Sequence, residues 1–356
     1  MSGEYEVMLS NNVRFGLIGY GLFGAHHANA ITNTEGAELV AIAVKSEKSQ
    51  EAARKAHPTS QVYRDYHKVL ERSEIDVIDI VVPNQLHFEI AAAALRRGKH
   101  VLLEKPMSVD LKQCDKLLAL AKEKDRIIAI NHELRLSSLW GGVKKLVAGG
   151  RIGRPLYTLI ELSRFPYRQG AEGWRYDIDR VGNWILEEPI HFFDLARWLM
   201  SSCGDPVSLY ARANSRQPGN DELRDNFSAI VNFKSDQYAV VSQTLAAFEH
   251  HVTAKVVGVA GTIWAHWSAP DARSDKPSFA LRYGLGDDIH TVTLENSTGE
   301  LLELADQVAD VVKCVREGSA PSCTGEDGRW STLLCLAAQR SVDTGNIVSI
   351  KEFCGS

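Results

Sequence analysis

No part of the chain reaches the ~18 consecutive apolar residues that a membrane-spanning helix requires. The nearest approach, Val256 to Pro270, is interrupted by Gly258, Gly261 and His266, so no membrane partner is expected. The stretch Met1 to Asn12 is polar, carries Glu4 and Glu6, and lacks the basic and apolar segments of a secretory signal. Cysteine is sparse: Cys114, Cys203, Cys314, Cys323, Cys335 and Cys354 are scattered, with no Cys-x-x-Cys spacing. That usage argues against a disulfide scaffold or a metal site and fits reduced thiols in a cytoplasm. Positive charge is not in excess either. Lys and Arg total 40 against 45 Asp and Glu, a formal net charge of -5, which gives no electrostatic reason to expect nucleic acid. Internal repeats and low-complexity tracts are absent.

What is present is enough chain for two hydrophobic cores. A length of 356 residues exceeds the size at which one core usually stops growing, and 44% hydrophobic with 24% charged residues is an ordinary globular composition. The expected partner is a small molecule or another protein.

Val13-Arg14-Phe15-Gly16-Leu17-Ile18 is a short apolar run, followed by Gly19-Tyr20-Gly21-Leu22-Phe23-Gly24 and the alanine-rich Ala25 to Ile31. Strand, Gly-x-Gly-x-x-Gly, helix is the context in which this motif reads as a dinucleotide cradle. Gly19 supplies the tight turn, Gly21 the close approach of a pyrophosphate, and Gly24 the helix–strand packing. The phosphates would lie on the helix N-terminus beside Leu22 and Phe23. A purely structural glycine turn is the competing reading. The next strand, Glu38 to Val44, has no acid at its end, about 20 residues past the glycines, to grip the ribose 2′-hydroxyl of NAD. Lys45 and Ser46, with Lys48 close by, suit a 2′-phosphate, so the cofactor is read as NAD(P) with NADP favoured. Against this, Glu47 can reach back, and loop lysines are usually just solvated.

Helical segments at Gln50 to Ala56, Lys68 to Arg72 and Leu86 to Arg97 alternate with the β-branched run Ile75 to Val82 and with His100 to Leu103. A helix from Leu111 to Lys124 and a strand from Arg126 to Asn131 follow. This alternation specifies an α/β fold with a doubly wound parallel sheet. In such sheets ligands bind beyond the carboxyl ends of the strands. Lys105 stands at one such end, between Glu104 and Pro106, and is either a ligand contact or a solvated surface lysine.

Three pieces together resemble the glucose–fructose oxidoreductase/inositol dehydrogenase (Gfo/Idh/MocA) family. They are Gly19-x-Gly21-x-x-Gly24, Pro83-Asn84-x-x-His87, and Gly98-Lys99-His100-Val101-x-x-Glu104-Lys105-Pro106. The resemblance continues through Gly150-x-Ile152-Gly153, the His191 segment and Gly258-x-x-Gly261-Thr262, covering nearly the whole chain. It implies a Rossmann domain over residues 1–131 that binds the cofactor through the glycine loop, Pro83, Asn84, His87, Glu104 and Lys105. It further implies an α/β domain over 132–356, whose large, open, mainly antiparallel sheet often builds dimers and tetramers.

In the second half, a helix from Leu139 to Val147 precedes a strand from Leu156 to Ser163. The stretch from Arg164 to Asn183 reads as a loop dense in Phe165, Tyr167, Arg168, Trp174, Arg175, Tyr176 and Asp177. Aromatic faces and cations suit a polyhydroxylated ring, and a loop pinned by its own aromatics fits equally well. A helix starts near Pro189, with Phe192, Leu195, Ala196 and Leu199 on one apolar stripe and His191, Asp194 and Trp198 on another face. Glu187 and Asp194 are within reach of His191, and a carboxylate beside an imidazole fixes its tautomer and raises its basicity. Alone, such a histidine is more often structural. The resemblance makes it the base on the substrate alcohol, with Lys105 beside it. The family usually has aspartate where this chain has Glu187, and glycine where it has Pro189.

Strands are expected at 207–213, 226–233, 238–245, 252–259, 262–266 and 289–294. Helices at 301–317 and 328–344 should cover one face of their sheet, leaving the other for oligomerisation. The resulting expectation is an NAD(P)-dependent oxidoreductase for a secondary alcohol of a sugar or cyclitol. A catalytically silent cofactor-binding regulator, or an imine or enone reductase, stands as the alternative.

Overall fold

The computed structural model describes residues 12–166, 171–216, 224–299 and 301–355. Tyr167 and Arg168 of the aromatic loop lie outside the described residues.

The first half runs β1 (Val13–Ile18), α1 (Leu22–Asn33), β2 (Ala37–Ala43), α2 (Glu47–Ala56), β3 (Gln61–Tyr63), α3 (His67–Leu70), β4 (Val77–Ile80), α4 (His87–Arg96), β5 (His100–Glu104), α5 (Leu111–Lys124) and β6 (Ile128–Asn131). Its strands form one parallel sheet in the order β3-β2-β1-β4-β5-β6. Every residue of β4 is buried, as expected of a strand with helices on both faces. The strand order reverses between β1 and β4, and a crevice opens there beyond the carboxyl ends.

The second half continues with α6 (Ser138–Ala148), β7 (Pro155–Arg164), α7 (Ile178–Val181) and α8 (Pro189–Leu199). Then come β8 (Ser208–Asn214), β9 (Asn226–Asn232), β10 (Tyr238–Thr244), β11 (His250–Gly258), β12 (Thr262–Ala269), β13 (Ser278–Leu285) and β14 (Asp288–Val292). The chain closes with α9 (Glu303–Glu317), α10 (Gly325–Thr344), β15 (Val348–Ser349) and α11 (Ile350–Gly355). Nine strands pair in the order β14-β13-β12-β11-β7-β10-β9-β8-β15, antiparallel except for the parallel pair β10 and β7. The apolar stripe of α8, Phe192, Leu195, Ala196 and Leu199, packs with Leu333, Leu334 and Ala337 of α10 and with Val231, Val241 and Ala254 of the sheet. Fully burying side chains of the Leu or Phe class stabilises by about 1.5–3 kcal/mol each.

Besides the short α7, β15 and α11, which the sequence reading did not include, two longer elements depart from the sequence expectation. β13 was not foreseen, because its residues are mostly half-buried and its alternation is weak. The helix expected at 301–317 over the antiparallel sheet packs on the other sheet. Leu304, Val308, Val311 and Val312 of α9 join Phe15, Leu17 and Ile31 in the core beside β1. An amphipathic period shows that a helix has an apolar face, not which sheet receives it. The chain then runs along the edge of the parallel sheet, where Ala129 bridges Thr324 and the Ile130 amide donates to the Cys323 carbonyl at 3.1 Å. No helix among the described residues is long and apolar enough to cross a membrane.

Candidate active site

A cleft of roughly 1420 Å³ runs from the glycine loop across the ends of β1, β4 and β5 to the face of α8. Pockets for one small ligand are about 300–1,000 Å³, so this one has room for two partners.

Gly19 has φ +104°, and a Cβ built there would meet the Val81 carbonyl oxygen at 2.0 Å. A Cβ on Gly24 would meet the Gly19 oxygen at 2.2 Å, whereas one on Gly21 meets nothing within 4 Å. Packing within the protein therefore demands the outer two glycines, and the middle one leaves the backbone open to the cleft. α1 begins here with no side-chain cap and no acid in its first turn. Its leading N–H groups and positive dipole end make a cradle that fits a pyrophosphate. Leu22 and Phe23 line the cleft, and Arg273 lies over the Phe23 ring at 5.6 Å.

At the end of β2, the cleft is lined by Val44, Lys45, Ser46 and Ser49, with Arg64 from beyond β3. Ser46 is partly committed, since its hydroxyl accepts from the Ser49 amide at 3.2 Å and caps α2. Pro83 and Asn84 line the wall beyond β4, and Asn84 donates to the Val181 carbonyl at 2.9 Å. His87 corrects the expectation of cofactor contact. It is fully buried behind the wall, with Nδ1 2.6 Å from the Pro106 carbonyl and Nε2 2.8 Å from that of Val82. It joins the turns beyond β4 and β5 from within.

Glu104 and Lys105 end β5 at the cleft floor, and the Lys105–Pro106 bond is cis. Glu104 accepts from the Asn131 amide and lies 3.1 Å from Nε2 of His27, whose Nδ1 is 2.9 Å from Asp79. Against the cost of burial, Asp79 and Glu104 lift His27 to about 10, so a charged imidazolium is clamped between two carboxylates. The Lys105 Nζ donates to the Glu187 carbonyl at 2.5 Å. Burial opposes its charge, but Glu187, Glu104, Glu188 and Glu133 outweigh it and hold Lys105 above its ordinary value.

His191, in the first turn of α8, lines the same cleft. Its surroundings correct the sequence reading. The Glu187 carboxylate accepts from Nε of Arg175 at 2.5 Å, and Asp194 is gripped by Arg135 at 2.7 Å through each of two nitrogens. Neither is left to raise the basicity of His191. Burial, Lys105 and His132 together hold the imidazole well below its ordinary pKa, so the ring is neutral. The group facing Nδ1 is Glu133, with Oε2 3.8 Å away, and the His132 ring stands edge-on at 5.4 Å.

Of the aromatic and cationic residues expected at the substrate end, Arg164, Phe165, Trp174 and Arg175 line the cleft. Tyr176 and Asp177 are not part of the lining: Tyr176 is 39% exposed, and Asp177 caps α7 by accepting from the Asp179 amide at 3.1 Å. Arg164 donates to Glu188 at 2.7 Å. Sequence reasoning missed Glu133, Trp140, His250, Trp267 and Thr298, all in the lining. Glu133 follows the end of β6, so the rule that singled out Lys105 applies to it equally. Thr298 and Gly299 belong to the return from the antiparallel sheet. The Thr298 hydroxyl donates to Glu303 at 2.7 Å and the Gly299 amide at 3.0 Å, while Ser137 meets Thr298 at 2.6 Å. Burial pushes Glu303 up to about 7 despite these bonds.

Comparison with known proteins agrees with this construction. Residues 13–132 match the model of an oxidoreductase family with an NAD-binding Rossmann fold, and residues 141–264 match the GFO/IDH/MocA C-terminal domain. The chain is 35% identical over 243 residues to the oxidoreductase YdgJ of Escherichia coli (strain K12), covering 68% of each protein. It is 27% identical over 355 residues to a myo-inositol 2-dehydrogenase of Thermotoga maritima, covering 96% of this chain and 100% of that one. A levoglucosan dehydrogenase structure, in complex with NADH and L-sorbose, shares the fold at TM-score 0.84 and 21% identity, over 96% and 99% of the two chains. With the glycine cradle, the six-stranded parallel sheet and the open nine-stranded sheet in place, the chain is a member of the GFO/IDH/MocA family of NAD-binding oxidoreductases.

Proposed function

We propose that this oxidoreductase interconverts a secondary alcohol and a ketone on a sugar, sugar derivative or cyclitol. His191 is the general base and Lys105 the group that orients the reacting oxygen. The observation that carries the reading is that Lys105 and His191 line one cleft beside the glycine loop, with nearby glutamates favouring the charged lysine and burial favouring the neutral imidazole. A neutral imidazole takes a proton from the substrate hydroxyl, and a charged ammonium stabilises the oxygen as negative charge develops. The glycine loop, Pro83, Asn84 and Glu104 would hold the nicotinamide cofactor, which supplies the two-electron redox chemistry. Arg164, Trp174 and Arg175 would present an aromatic face and cations to the polyol, and Glu187 would act by anchoring Arg175.

Lys45, Ser46 and Arg64 line the region beyond β2 and β3 together with Asp65, and the two cations and the hydroxyl favour NADP. The open face of the nine-stranded sheet favours a homodimer or homotetramer. Ile230, Val240, Leu159, Lys255 and Trp264 stand side by side across five neighbouring strands, with Ile230 and Trp264 exposed by 43% and 58%. A panel of inositols, aldoses and anhydro-sugars, run separately with NAD and NADP and followed by reduced-nicotinamide absorbance, tests the reading. Turnover lost in His191→Ala with cofactor binding retained is expected. No turnover across the panel, or full turnover in that variant, overturns it.

A further inference from the structure

We propose that Glu133, rather than Glu187, is the positioning carboxylate of His191, accepting a hydrogen bond from Nδ1–H so that Nε2 is left for the substrate hydroxyl. The inference rests on the reading of His191 as base, and its test is chosen to stand apart from that reading.

A neutral imidazole carries one N–H, and a buried donor is rarely left without an acceptor. Nδ1 of His191 is buried and has no hydrogen-bond partner, while Glu133 Oε2 lies 3.8 Å from it. Both side chains are largely buried, at 11% and 6% exposure. The carboxylates that sequence proximity favoured point elsewhere, Glu187 to Arg175 and Asp194 to Arg135. Glu188, also close in sequence, is held by Arg164.

The topology makes the arrangement reproducible. β5 and β6 are adjacent parallel strands, and Glu104 is paired with Asn131 at their ends. Lys105 follows one strand, and His132 and Glu133 follow the other. The sheet edge therefore presents a cation and a carboxylate to the same histidine on α8. Lys105 and His132 both oppose a positive ring, so the imidazolium formed when His191 takes a proton needs an anion facing it. At 3.8 Å the contact is longer than the ~2.7–2.9 Å of a charge-assisted bond. Catalytic hydrogen bonds are often long before substrate binds and tighten as the site fills. In the oxidative direction the hydroxyl proton passes to Nε2, and the Nδ1 proton stays on the ring, directed at Glu133.

The tautomer is measurable without turnover. Ring-¹⁵N histidine spectra of the full-length protein, with the His191 signal assigned by its loss in His191→Gln, should show the Nδ1–H form. Glu133→Ala should shift that population, Glu133→Gln should preserve it because the amide oxygen also accepts, and Glu187→Gln should leave it unchanged. In Glu133→Gln, kcat should fall about 10- to 100-fold, and the acidic limb of its pH profile should move to lower pH. Cofactor affinity should stay within a few-fold, which also checks that the variant is folded, and Glu133→Asp should recover part of the rate. An Nε2–H form in the wild type, an unmoved tautomer in Glu133→Ala, or an effect of Glu133→Gln on KM alone would overturn the proposal. If the tautomer responds to Glu133 while no polyol is turned over, the substrate reading falls and this assignment stands.

Discussion

The ammonium of Lys105 donates to the backbone carbonyl of Glu187 at 2.5 Å, joining residues 82 positions apart in the chain. The contact ties the end of β5 to the entry of α8, so the distance between lysine and histidine is set by how the two halves pack. It also explains why this lysine keeps its charge despite burial, since Glu187, Glu104, Glu188 and Glu133 all favour it.

Lys105→Ala should lower kcat by about 10²–10³-fold, the range for removing one preorganised donor to a developing oxyanion. Affinity for the cofactor, measured by fluorescence titration, should change only a few-fold. Lys105→Arg should not restore the rate, because a planar guanidinium cannot replace a point ammonium in a closed site.

Arg135 and Asp194 form a bidentate pair exposed by only 3% and 2%. Removing Asp194 leaves the Nε–Nη2 edge of the buried Arg135 without its carboxylate while Asp327 stays 3.1 Å from Nη1, so Asp194→Ala should cost about 3 kcal/mol in denaturant unfolding. Asp205 faces Arg197 at 3.1 Å but is 59% exposed, and Asp205→Ala should cost about 0–1 kcal/mol. Equal effects would contradict the burial argument.

Glu303 has a folded-state pKa raised from 4.5 to about 7, so the folded protein binds more protons than the unfolded chain between those values. Stability from this group is present below the lower value and is lost as pH rises through the upper one. Glu303→Gln should therefore flatten the decline in Tm across that window and be more stable than wild type at pH ~8, by on the order of 1–3 kcal/mol. Parallel Tm–pH curves for the two proteins would refute the assignment.

Lys45 and Arg64 line the end of the cleft beyond β2 and β3. Replacing both with alanine should weaken NADP binding about tenfold or more, the scale of one or two charge-assisted hydrogen bonds, and leave NAD nearly unchanged. Equal losses for both cofactors, measured by calorimetry, would assign these cations to a general surface role.

Much of this was legible in residue order, because it depends on short-range rules. The glycine spacing and its flanking strand and helix located the cradle. The β-branched runs located the buried parallel strands, and the stripe of Phe192, Leu195, Ala196 and Leu199 located the inward face of α8. The same local rules put Lys105 at a strand end, immediately before a proline.

Tertiary structure alone decided which charges meet. Periodicity could not say which sheet α9 covers, because both offer an apolar face. Sequence proximity paired His191 with Glu187 and Asp194, but arginines from two other segments claim both carboxylates, and the group facing the imidazole comes from the turn after β6, 58 residues earlier. Charge pairing depends on distances of a few ångströms between side chains that the topology brings together, and that information is not carried by spacing along the chain.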